Sequence, residues 1–158
     1  MPGTASSPGT GGQNVPSVFG VPTVTSGCPA ASESAAARCP QFPECWNGLV
    51  VISGDATAGS LPCTGPHVWE TFAIAILPAA VRTYDQDIVA ADPAVRAVCS
   101  VRVMLRSRRG LARLIPAGSW DIEVLPPNEA AFDSGARTYR CIAHVLTGRD
   151  PRRPQFGR

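Results

Sequence analysis

An α+β fold is predicted: a small, mostly antiparallel sheet with one main helix packed on one face, stabilised by disulfides. Three observations predict it. Strand-like apolar patterns recur over residues 49–52, 69–77, 120–125 and 137–146. Helical spacing appears in only one long stretch, Ile88, Val89, Val95, Val98, Cys99, Val101, Val103 and Leu105. Six cysteines stand in a chain of 158 residues with no C-x-x-C pair and two histidines, which argues for disulfides in an oxidising compartment and against a zinc finger.

Residues 1–37 are rich in Pro, Gly, Ser, Thr and Ala and poor in large apolar side chains. Such a segment buries too little surface to offset its ordering entropy, so it reads as a largely disordered linker. The domain proper is expected over 38–147. Its first strand is the run Asn47-Gly48-Leu49-Val50-Val51-Ile52, ended by Ser53-Gly54-Asp55. A hairpin at this point brings Cys45 near Cys63.

The stretch Leu61-Pro62-Cys63-Thr64-Gly65-Pro66-His67-Val68-Trp69-Glu70-Thr71-Phe72 organises the rest, because its polar turn opens the longest apolar run. That run, Ala73-Ile74-Ala75-Ile76-Leu77, reads as buried and belongs to a long strand from Trp69 to Leu77 stopped by Pro78, which has no N–H for a ladder. Asp92-Pro93 is an N-cap followed by proline at the first helical position, and the helix is expected from about Pro93 to Ser107. Trp120-Asp121-Ile122-Glu123-Val124-Leu125 alternates as a half-buried strand does. Residues 128–134 suit one helical turn with Phe132 facing in. The last strand, 137–146, puts Thr138, Arg140, Ile142 and His144 on one face and Tyr139, Cys141, Ala143 and Val145 on the other. Residues 148–158 read as a polar, frayed tail.

Net charge is +2 and the isoelectric point is near 8.3, so the chain lacks the global field on which nucleic-acid binding relies. All fourteen basic residues are arginine. No run of eighteen apolar residues exists, and the N-terminus lacks a basic segment followed by an apolar one. A membrane anchor, if the domain has one, is expected outside these residues.

Cys45, the motif Cys63-Thr64-Gly65-Pro66-His67-Val68-Trp69-Glu70-Thr71-Phe72, helical Cys99, and the run from Leu125-Pro126-Pro127-Asn128 through Phe132 and Gly135 to Arg137 and Cys141 resemble the actinobacterial septum formation domain family. The family carries a C-x-x-P-H-x-x-E-V/F signature and a P-x-x-x-x-W-x-x-G-x-R-x-x-x-C signature. The resemblance covers about residues 42–146. It departs from the pattern at Gly65, an extra residue before Pro66-His67, and at Phe132, which stands where tryptophan is usual. Cys28 and Cys39 fall outside its four-cysteine core. The resemblance implies an extracytoplasmic domain of a membrane-anchored protein associated with the cell envelope or cell division, with no chemistry assigned.

Six cysteines allow fifteen pairings. The expected set is Cys28 with Cys39, Cys45 with Cys63 and Cys99 with Cys141, the runner-up tying Cys63 to Cys141. Two surfaces are candidate binding sites. One is the turn with His67, Trp69 and Glu70. The other is Arg102, Arg106, Arg109 and Arg113, which share one stripe if the helix continues that far; guanidinium forks suit phosphate and carboxylate. The function expected is a non-enzymatic binding or scaffolding ectodomain, with a cell-wall polymer or envelope protein as partner and no cofactor. The competing readings are a cysteine- or metal-dependent enzyme centred on Cys63, His67 and Glu70, which requires Cys63 to be reduced, and a passive spacer.

Overall fold

The computed structural model describes residues 14–15, 23–24 and 27–157. In chain order these form β1 (Asn14–Val15), β2 (Thr23–Val24), a 3-10 turn at Pro29–Ser32, β3 (Ala37–Pro40), β4 (Cys45–Trp46), β5 (Val50–Ile52), β6 (Asp55–Thr57), β7 (Ser60–Leu61) and β8 (Trp69–Ile76). They continue as α1 (Gln86–Ala91), α2 (Pro93–Val98), α3 (Val101–Ser107), 3-10 turns at Gly110–Leu114 and Ala117–Ser119, β9 (Trp120–Leu125), α4 (Glu129–Asp133) and β10 (Thr138–Val145). The main sheet is antiparallel in the order β1-β2-β3-β8-β10-β9, with β4 bridging β8 and β7. The α+β class expected from the sequence is the one observed.

Strand β8 is central, lying between β3 and β4 on one side and β10 on the other, and it is buried along seven of its eight residues. This explains its continuous apolar run, since a strand covered on both faces has no polar face to show. On one face the helices supply Val89, Val95, Val98, Val103 and Met104, packed with Phe72, Tyr139 and Cys141. Behind the sheet, Trp69, Leu125 and Ile142 form a second cluster with Ala56, against which Trp46 and Leu49 pack. Strand β10 therefore alternates as expected, Tyr139, Cys141 and Ala143 facing the helices and Ile142 the smaller cluster, with a bulge between Cys141 and Ile142. Each large apolar side chain so buried contributes about 1.5–3 kcal/mol.

The single helix expected over 93–107 is bent into α2 and α3. Asp92 caps α2 through Ala94 and Val95, with Pro93 at its first position as predicted. Cys99 then leaves helical geometry (ψ 42°), and the Ser100 hydroxyl accepts from the Val103 N–H to start α3 afresh. Cys99 is bridged to Cys141 in the sheet, so the bend falls where the helix layer is tied to the strands. An additional helix, α1, is capped by Asp85 through the Asp87 and Ile88 amides.

The Cys45–Cys63 hairpin contains a detour. Strand β4 does pair with β7, but β5 and β6 form a separate ribbon between them, turned by Ser53 (φ 51°) and Gly54 (φ 82°). Both turn residues are left-handed, the requirement of a two-residue hairpin that follows the strand twist. A side chain at Gly54 would also meet the Asp85 carboxylate at 2.3 Å.

Two boundaries are corrected. Much of the linker expected over 1–37 lies outside the described residues, but Cys28, Ala30 and Ala37 are buried in the main core, so the packed fold includes residues well before 38. At the other end, Gln155 and Phe156 of the supposedly frayed tail are buried. The Phe156 ring lies 5.7 Å from that of Phe72 and 5.5 Å from that of Trp120. The backbone around it bonds back to α3 and the segment after it, Arg109 N–H to Gln155 O and Gly157 N–H to Ser107 O. The tail is thus docked by one aromatic together with backbone hydrogen bonds.

Candidate functional site

All six cysteines are paired: Cys28–Cys39, Cys45–Cys63 and Cys99–Cys141, with Cα separations of 5.6, 5.3 and 5.1 Å. Loop-closure entropy assigns about 3 kcal/mol to each of the two shorter loops and about 4 kcal/mol to the longest. Three such bridges point to an oxidising, extracytoplasmic environment. No helix among the described residues is long and apolar enough to cross a membrane.

The turn preceding β8 is not the exposed surface its composition suggested. His67, Trp69 and Glu70 are buried. The His67 Nδ1–H donates to Gly65 O at 2.9 Å, and Nε2 meets Glu70 Oε1 at 3.2 Å. A carbonyl only accepts, so Nδ1 carries a proton, and a second proton on Nε2 makes the contact with Glu70 an ion pair. Burial opposes ionisation most strongly, but the Glu70 hydrogen bond, the Gly65 carbonyl and the charges of Glu70 and Asp150 together outweigh it and hold the imidazole above its usual 6.5. Glu70 also accepts from the backbone N–H groups of Gln155 and Phe156 at 2.8–3.0 Å. The pair is a clamp on the docked tail.

The same geometry bears on the catalytic and metal readings of this turn. Cys63 is bridged to Cys45 and has no thiolate to act as nucleophile. The ligand atoms of Cys45, His67 and Glu70 do lie within 4.8 Å of one another. The sulfur is in a disulfide and the carboxylate is already held by two amides and the imidazole, so this donor set does not suit a thiolate metal site. Trp69 lies beside His144, with ring centroids 5.1 Å apart and planes tilted by 47°, and is part of the core behind the sheet.

The arginines behave differently. The stripe expected of Arg102, Arg106, Arg109 and Arg113 does not form, because α3 ends at Ser107. Arg102 pairs with Glu33. Arg108 turns inward and donates to the carbonyls of Leu105, Ala112 and Ile115. That lock folds the chain so that Arg106, Arg109 and Arg113 come round one cleft of about 630 Å³. Its floor is Phe72, Phe156 and the Cys28–Cys39 bridge, with Phe42 at the rim. No acidic residue is among the described residues lining it, and Arg106, Arg109 and Arg113 are exposed and take no part in the described ion pairs. A cleft of this kind favours a ligand with an anionic group and an apolar portion.

Phe42 and Phe156 were not read from the sequence as parts of this site. Their signal was present: Phe42 is an isolated aromatic between Pro40 and Pro43, and Phe156 an isolated aromatic between polar residues. A second, shallower depression of about 440 Å³ lies between Leu77, Val81 and Phe132, but its Arg137 sits over the Phe132 ring at 3.8 Å and donates to Phe132 O and Ala136 O. That arginine is held internally, while Arg82, which also lines the depression, is exposed. No protein-family model, no characterised protein and no solved structure matches the chain.

Proposed function

We infer that the chain is a binding module of the cell envelope that recognises phosphate- or carboxylate-bearing groups outside the cytoplasm and carries out no catalysis of its own. The observation that carries the reading is the gathering of Arg106, Arg109 and Arg113 around an aromatic-floored cleft with no acid among its described lining residues. Guanidinium groups fork onto phosphate and carboxylate oxygens, and a nearby apolar floor strengthens those contacts by excluding water. The three disulfides support the compartment. The resemblance of residues 42–146 to the septum formation family supports an actinobacterial, membrane-anchored setting associated with cell division. The bridged Cys63 and the clamped His67 and Glu70 weigh against the enzyme reading.

The test is charge reversal. Arg106→Glu with Arg109→Glu is expected to weaken co-sedimentation with an anionic envelope fraction by tenfold or more, and raising the salt should weaken the unaltered chain similarly, since exposed charges are screened. Retention of binding by the reversed variant would remove the cleft from the function.

A further inference from the structure

We propose that the turn Gly110–Leu114 docks the domain onto an anionic lipid bilayer, with Leu111 and Leu114 entering the headgroup boundary while Arg106, Arg109 and Arg113 contact lipid phosphates. The proposal rests on the anion-binding reading of those arginines and names the partner of that site. Leu111 is 81% exposed and Leu114 78%. On a 3-10 turn, residues three apart eclipse each other, so the two leucines make one projecting apolar edge. The edge is held in place from beneath: Ala112 is buried, and the Arg108 guanidinium grips the carbonyls of Ala112 and Ile115. Two of the largest exposed apolar side chains of the fold are therefore presented on a braced turn.

Charge complementarity selects the occupant. Arg109 precedes the leucines, Arg113 stands between them in sequence and Arg106 lies one helical turn upstream, all three exposed. The described ion pairs of arginine involve Arg102 and Arg140, leaving none for these three. Elsewhere among the described residues Phe42, Ile76, Ile88, Val101 and Leu146 are exposed singly, and Val50, Val51 and Ile52 are exposed together, but that hairpin turns against Asp85 and its Asp55 caps the Glu129 amide, so it borders carboxylates and suits no anionic surface. A soluble anionic polymer satisfies arginines but leaves leucines in water. A bilayer with anionic headgroups satisfies both, as interfacial segments with basic and apolar faces do.

The experiment is co-sedimentation of the whole chain with phosphatidylcholine vesicles and with mixed phosphatidylcholine–phosphatidylglycerol vesicles, beside its binding to soluble inorganic polyphosphate. The expected result is binding to the mixed vesicles and not to the neutral ones. Leu111→Ser with Leu114→Ser should reduce vesicle binding by about tenfold or more while polyphosphate binding is unchanged. Each arginine changed to alanine should weaken vesicle binding by about fivefold at low salt. The leucines are exposed, so the double variant is expected to melt as the unaltered chain does, and circular dichroism checks that it is folded. Vesicle binding that ignores the leucines overturns the proposal. So does binding to polyphosphate without binding to vesicles, which leaves the anion-binding reading standing. Binding to neither removes both.

Discussion

The turn at His67–Glu70 and the segment from Arg106 to Leu114 both gather reactive or charged side chains into a few residues, yet the fold uses them in opposite ways. In the first, every hydrogen-bonding position is directed inward: His67 holds Gly65 and Glu70, and Glu70 holds Gln155 and Phe156. In the second, Arg108 is spent on the protein's own carbonyls and Arg113 gives its Nε–H to Arg108 O, while the Arg106 and Arg109 guanidiniums make no side-chain hydrogen bond among the described residues. A cluster of chemically capable residues is available for binding only where the protein's own backbone has not already satisfied it. A buried ion pair holds structure because leaving either partner unpaired is costly, whereas exposed cations cost little to keep free.

Breaking the clamp should produce the largest effect on stability. Glu70→Ala leaves two buried amides without an acceptor and the His67 Nε2 without its partner, and is expected to cost about 3–5 kcal/mol in urea unfolding. Phe156→Ala should cost about 3 kcal/mol by emptying the space between Phe72 and Trp120. A loss below 0.5 kcal/mol would show that the tail is not docked in solution.

The pH dependence sharpens the same contrast. His67 is held above 6.5 in the fold, so its contribution is fully present below 6.5 and is lost as pH rises through the raised folded value. Relative to His67→Gln, the native chain should gain about 1.5–3 kcal/mol in mildly acidic buffer, and the difference should shrink with each step toward alkaline pH. A difference constant across this range would mean that the imidazole does not carry the charge. The smallest expected effect is on the other surface: Arg106→Glu with Arg109→Glu should leave stability within about 0.5 kcal/mol while changing ligand binding. A large loss of stability there would mean that these cations, too, are structural.

Much of the architecture was legible because its signals are local. Pro78 ends β8, Asp92-Pro93 opens α2, and Trp120 to Leu125 alternates, each through backbone or solvation rules that act over a few residues. Of the fifteen possible cysteine pairings, the expected set, chosen for the ends of a hairpin and for the helix against the last strand, is the one observed. What stayed hidden depended on contacts distant in sequence. Glu70 reaches 85 and 86 residues along the chain to Gln155 and Phe156, and nothing near it predicts those partners. The break between α2 and α3 falls at Cys99, whose bridge partner Cys141 is 42 residues away.

By itself the sequence determined the α+β class, the oxidising compartment and the central apolar strand, since patterning, cysteine content and capping act wherever the chain is. Only the tertiary structure decided which polar cluster is closed and which is open. Burial and hydrogen-bond satisfaction belong to the assembled surfaces: the docked tail closes His67 and Glu70, and the inward turn of Arg108 brings the other arginines round a cleft.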